Sequence, residues 1–215
     1  MLAIPTLSNH TGLPPKTYLL SKAGDSMFEQ VTILLGFVYA IALTHLLSSA
    51  NELVLERRHV RISGLYILWM VNALLILTVN WLGFWGLHAI KQWTVFQILM
   101  QFSVAIVQYF TCSTLLIRPG NGEPIDMGAL FEQRRTILAG SFISLWVVAM
   151  AINYLERNVV YSQRSQWISA DAVLLLVLPL ILLTGWARPR WMQWVGGLGV
   201  FAVGVQFLVA YTITN

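Results

Sequence analysis

The sequence predicts an all-α, polytopic integral membrane protein, a bundle of six transmembrane helices, and three observations carry that expectation. Of its 215 residues 57% are hydrophobic and only 10% charged, whereas soluble domains carry about 25% charged residues. Six segments offer the roughly 20 mainly apolar residues that a helix needs to cross a hydrocarbon core. None of these runs shows the polar–apolar alternation of a barrel strand.

The first 26 residues, MLAIPTLSNHTGLPPKTYLLSKAGDS, are expected as an N-terminal extension outside the bundle. They do not read as a secretory signal, because no basic start leads into a sustained apolar core and Pro14-Pro15 interrupts them. Met27 opens the first apolar run and is an alternative start. Residues 27–215 then form a single six-helix domain, with spans at about 28–52, 65–88, 94–117, 136–156, 170–187 and 191–213.

In the first span, Gly36, Ala40, Thr44 and Ser48 recur at four-residue steps, a small-residue ridge suited to a helix–helix contact. Beside it His45, Ser49, Glu52 and Glu56 form a second stripe. Ionisable groups inside a membrane are functional suspects. His45 is a candidate proton carrier, and Glu52 is placed to hold its tautomer or its charged form. The alternative is a neutral His45 bonded to a neighbouring helix. The second span carries Asn72 and Asn80.

The third span asks the sharpest question, because Gln97, Gln101 and Gln108 sit within it. At about 100° per residue, Gln101, Gln108 and Cys112 fall about 40°, 20° and 60° from Gln97. Amides facing lipid would go unpaired at a cost of kilocalories each, so this face is expected to look at protein or water. Ahead of the fourth span, RPGNGEPIDMGALFEQRR at 118–135 breaks the chain and offers a stretch suited to the membrane surface. Pro179 predicts a kink in the fifth span. The sixth carries Gln206, with Gly196, Gly197, Gly199 and Gly204 for close approach. LERRHV at 55–60 echoes LERNVV at 155–160; three-helix halves related this way would be inverted repeats, as in many transporters.

With six spans, Lys16, Lys22, Lys91, Arg157 and Arg164 share one side, and Arg57, Arg58, Arg61, Arg118, Arg134, Arg135, Arg188 and Arg190 the other. The larger group lies closer to helix ends, which places it in the cytoplasm and both termini outside. The expected location is a bacterial inner membrane. Trp81, Trp85, Trp93, Tyr154, Tyr161 and Trp167 then mark the outer boundary, and Tyr66, Trp69, Trp186, Trp191 and Trp194 the inner. The net charge of +4 follows from this topology rather than from a nucleic-acid partner. Cys112 is the only cysteine, which excludes an internal disulfide.

Catalytic signatures are absent: there is no Gly-rich phosphate loop, no His-Glu-x-x-His and no nucleophile elbow. No cofactor is expected. A haem would need His45 and His88 to face each other from opposite ends of different spans, while a quinone or pigment could touch Trp81, Trp85 and His88. The stretch FVYAIALTHLL, residues 37–47, resembles the first helix of the small prokaryotic relatives of lysosomal potassium channels. The Arg and Phe-Ser-Asp that precede its Ala-Ile-Ala-x-Thr in that family are missing, and the outward N-terminus disagrees, so no site is carried over.

Two functions follow as expectations. One is a conduit, a channel or transporter for an ion, proton or small polar solute, with Gln97, Gln101, Gln108, His45, Glu52, Asn72, Asn80 and Gln206 as lining. At 24.2 kDa one bundle has little room for a wide pore, so homo-oligomers are expected. The other is a non-catalytic scaffold or assembly subunit of a larger membrane complex. A membrane enzyme using His45 with Glu52, or His88, is the third reading.

Overall fold

The computed structural model describes residues 15–55, 57–85, 87, 93–117, 124–160 and 167–210, with side chains over 27–55, 57–85, 87, 93–117, 124–154 and 175–209. Glu56, His88, Lys91, Arg118, Tyr161 and Arg164 lie outside the described residues. The fold is all-α. Its six helices are α1 (Pro15–Leu55), α2 (Gly64–Trp85), α3 (Val95–Thr114), α4 (Met127–Val160), α5 (Trp167–Trp186) and α6 (Arg190–Ala210). Five are long and apolar enough to cross a membrane, α5 being described with its side chains only over Leu175–Trp186.

The helices close into a ring. α1 packs on α3, α3 on α4, α4 on α5, α5 on α6, α6 on α2 and α2 back on α1, while α2 also leans in to touch α3 and α4. Connections α1–α2, α3–α4 and α5–α6 gather at one end, rich in arginine. Two short strands the sequence did not announce, β1 (Val60–Arg61) and β2 (Ile125–Asp126), pair in parallel there. His59 O accepts from Ile125 N at 2.9 Å, and Arg61 Nη1 lies 3.6 Å from Asp126 Oδ2. The first and third connections are thereby stapled together.

Helix ends follow local chemistry. α3 opens on a capping box: Gln97 N donates to Thr94 Oγ1, and Thr94 N donates to Gln97 Oε1 at 2.9 Å. α4 opens on Asp126, whose Oδ1 accepts from the N–H groups of Gly128 and Ala129. The carboxylate also suits the positive end of the helix.

Several expectations change. The segment after Asp126 does not lie on a surface, because Met127 and Phe131 are buried and α4 runs unbroken into the fourth span. α1 starts at Pro15, so the helix extends into the leader; proline is favoured in a first helical turn, where its missing N–H costs nothing. The two LER motifs have different structures: Leu55 ends α1 and Arg57–His59 turn, whereas 155–160 stay helical. Tyr66 and Trp69 are core residues rather than boundary markers. Tyr66 Oη donates to Leu115 O at 2.9 Å, and Trp69 meets the Phe142 ring edge-on at 4.7 Å. The α1 ridge of Gly36, Ala40, Thr44 and Ser48 turns out of the bundle, and Thr44 returns its hydroxyl to Ala40 O. The buried face is instead Val31, Leu35, Tyr39, Ala42, Leu46 and Ser49, because the bulk needed to fill the centre lies on that side.

The α6 glycines do serve close approach. A Cβ on Gly196 would meet Leu180 O and Thr184 Oγ1 of α5, and one on Gly197 would stand 2.8 Å from Leu68 Cδ2 of α2. A Cβ on Gly204 would run into Leu75. α6 therefore nests against both neighbours by having no side chain at these points.

Candidate functional site

The arginine end is filled and capped. Arg134 Nη1 donates to Thr114 O, on the last residue of α3, at 3.4 Å and to Leu116 O just past it at 2.8 Å, and Arg135 Nη1 donates to Ala187 O at 2.9 Å just past α5. A guanidinium at a helix C-terminus satisfies free carbonyls and complements the negative end of the dipole.

Beyond that layer lies a cavity of about 370 Å³, within the roughly 300–1,000 Å³ of small-molecule sites. All six helices contribute to its wall. From α5 and α6 come only apolar residues, among them Val177, Ile181, Val200 and Phe207. The polar groups come from the other four helices: Tyr39 from α1, Asn80 from α2, Gln101 from α3, and Asn153 with the indole of Trp146 from α4. No lining residue is Asp, Glu, His, Lys or Arg.

Tyr39, Asn80, Gln101 and Asn153 all line the same cavity, and contacts between the helices show how each reaches it. His45 meets Tyr109 edge-on at 5.3 Å across α1 and α3, which run the same way. Six residues further from the arginine end stand Tyr39 and Ser103. Across antiparallel α2 and α3, Gln108 Nε2 donates to Ala73 O and Gln108 Oε1 accepts from Asn80 Nδ2, and Gln101 stands seven residues before Gln108, further from the arginine end. Thr111 Oγ1 reaches Ser141 O across antiparallel α3 and α4; ten residues on stand Gln101 and Ala151, two short of Asn153.

The three glutamines therefore do three different things. Gln97 is a helix cap. Gln101, 9% exposed, faces the cavity. Gln108 is fully buried and bonded on both sides: Oε1 accepts from Asn80 Nδ2 at 2.9 Å, and Nε2 donates to Ala73 O at 3.4 Å and Cys112 Sγ at 3.5 Å. It ties α2 to α3 beneath the cavity.

Other expected residues scatter. Asn72 Nδ2 donates to Gly197 O at 2.9 Å on α6. His45 stays half-buried against Tyr109, and Glu52 half-buried with Oε2 enclosed. Gln206 is exposed on the outside of α6, away from the amide layer. Trp81 and Trp85 pair edge-on at 5.8 Å, both exposed.

Tyr39 and Asn153 went unrecognised in the sequence. Asn153 was findable as an asparagine near the end of an apolar run; Tyr39 looked like one more aromatic. Tyr39 is only 7% exposed, and its hydroxyl makes no hydrogen bond among the described residues. Among the described residues five side-chain atoms are buried without a partner: Glu52 Oε2, Trp69 Nε1, Asn72 Oδ1, Trp93 Nε1 and Gln193 Oε1. Those of Trp69, Asn72 and Gln193 belong to α2 or α6 and lie between the cavity and the arginine end.

No family model, curated protein or solved structure matches this chain.

Proposed function

We propose that the chain is a six-span integral membrane protein and a conduit for a small solute that rests in the central cavity during transit. The arginine end faces the cytoplasm and both termini face outward, on the distribution of positive charge between the two sides. The exposed flanks of α1, with Ile33, Leu34, Phe37, Ile41 and Leu47 all more than half exposed, suit lipid and would be a liability in water.

The observation that carries the reading is a single cavity bounded by all six helices. A purely structural bundle would gain by filling such a space. The partnerless atoms of Asn72, Trp69 and Gln193 add to it. Buried polar groups are nearly always satisfied, so a run of orphans marks where water or solute completes the set. They continue from the cavity along the α2–α6 seam to the arginine end. Passage in that direction requires the Trp69–Phe142 pair to move, which describes a carrier closed at its arginine end better than an open pore.

Flux through reconstituted liposomes tests this. Folded protein should pass at least one of a panel of protons, monovalent ions and small neutral solutes, and Trp69→Ala should raise the rate. No uptake of any kind, with the fold intact, removes the conduit.

One observation favours a second reading, the scaffold subunit. The small-residue stripe on α1 faces outward, where another helix could approach closely. Native mass measurement from mild detergent separates the two: a stable hetero-complex supports the scaffold, a homo-oligomer or monomer weakens it.

A further inference from the structure

We infer that the cavity takes a neutral amphiphile, a mainly apolar molecule carrying one hydroxyl or carbonyl group, rather than an ion. This rests on reading the cavity as the resting place of a solute. Charge is the first argument. No formally charged side chain lines the wall, and an ion taken from water into such a space meets no counter-charge to offset its desolvation. Placement is the second. An apolar body fits the α5–α6 wall of Val177, Ile181, Val200, Val203 and Phe207, while a polar group meets the layer opposite.

That layer has capacity to spare. Tyr39 is more than nine-tenths buried, with its hydroxyl unbonded among the described residues, and it can donate as well as accept. Asn80 spends its Nδ2 on Gln108 Oε1, which leaves its carbonyl oxygen as an acceptor in the wall of the same cavity. A ligand hydroxyl would donate to Asn80 Oδ1 and accept from Tyr39 Oη–H; a ligand carbonyl would use Tyr39 alone.

The probes are 1-naphthol, naphthalene, 1-naphthoate and 1-naphthylmethylammonium, similar in body and different in head. Binding is read on the full chain in lipid nanodiscs by equilibrium dialysis, against empty nanodiscs to subtract partition into lipid. Naphthol should bind saturably and about three- to tenfold more tightly than naphthalene, the gain expected from one or two hydrogen bonds. The two charged probes should show no saturable binding. Tyr39→Phe keeps the ring and removes only the hydroxyl, so it should erase most of the naphthol advantage and leave naphthalene unchanged. Asn80→Leu should act likewise, and because Asn80 also holds Gln108, Tyr39→Phe decides if that variant fails to fold. A charged probe binding more tightly than naphthol, absence of saturable naphthol binding, or a Tyr39→Phe protein that keeps the full preference overturns the inference. Naphthol binding without flux of any solute would sink the conduit and spare this inference; ion flux without naphthol binding would do the reverse.

Discussion

Helix α4 passes through two different environments. Around Ala139, near the arginine end, a Cβ on Gly185 of α5 would collide with the Ala139 methyl, Trp69 lies on Phe142, and Arg134 and Arg135 bond the carbonyls that α3 and α5 leave free. Around Ala149, less than three turns further on, the same helix borders a cavity. One half of the bundle is packed until helices touch backbone to side chain; the other keeps space and polar groups in hand. The difference teaches where to look for function: tight packing holds the spans together, and the loose half is left for a guest.

Glycine substitutions should break the comparison most strongly. Gly196→Ala drives a methyl into Leu180 O and Thr184 Oγ1. With backbone on the far side, relief requires α5 and α6 to separate, at about 3 kcal/mol. Gly83→Ala, a cavity residue with nothing within 4 Å of the new methyl, should instead stabilise by up to about 1 kcal/mol through helix propensity. Thermal unfolding of the two proteins in detergent reads both signs.

Next in size is Gln108→Leu, which strips the partner from Asn80 Nδ2 within the α2–α3 tie; a loss of about 2 kcal/mol is expected. Arg134→Met should cost about 1 kcal/mol, because the carbonyls of Thr114 and Leu116 lose their donor while the side-chain stem still packs. Chemical unfolding at fixed detergent concentration ranks the pair.

The smallest effect lies outside the spans. The N–H of Ala129 holds the Asp126 carboxyl below the usual carboxylate range, with help from Gly128 and Arg61. A depressed folded value means that its contribution is complete above the ordinary carboxylate pKa of about 3.9 and fades as pH falls through the lower folded value. Asp126→Asn should therefore show a flatter loss of stability on acidification than the parent. An unchanged acid limb would mean that the Asp126 cap of α4 carries none of the linkage.

Much of the fold was legible because lipid-length apolar runs announce themselves by length and composition alone. Where helices face was less so. The α1 ridge of Gly36, Ala40, Thr44 and Ser48 turned outward, since small residues allow a close contact without compelling one. The glutamine face pointed inward at Gln101 and Gln108, as the cost of an unpaired amide requires, yet Gln97 escaped that argument by bonding its own helix start. Gln206 shows the limit of the same reasoning, standing exposed on α6. Tyr39 was invisible because its place in the layer depends on the α1–α3 register, which no single helix encodes.

A matched pair of substitutions on α4 tests the central contrast most directly. Ala139→Leu and Ala149→Leu add the same atoms to one helix, the first where side chains already touch and the second at a cavity wall. Thermal unfolding of both in one detergent should put Ala139→Leu lower by about 6–10 °C, the equivalent of about 3 kcal/mol in a chain of this size, and leave Ala149→Leu within about 2 °C of the parent. Equal losses, or a larger loss at Ala149, would mean that the space between the helices is not there.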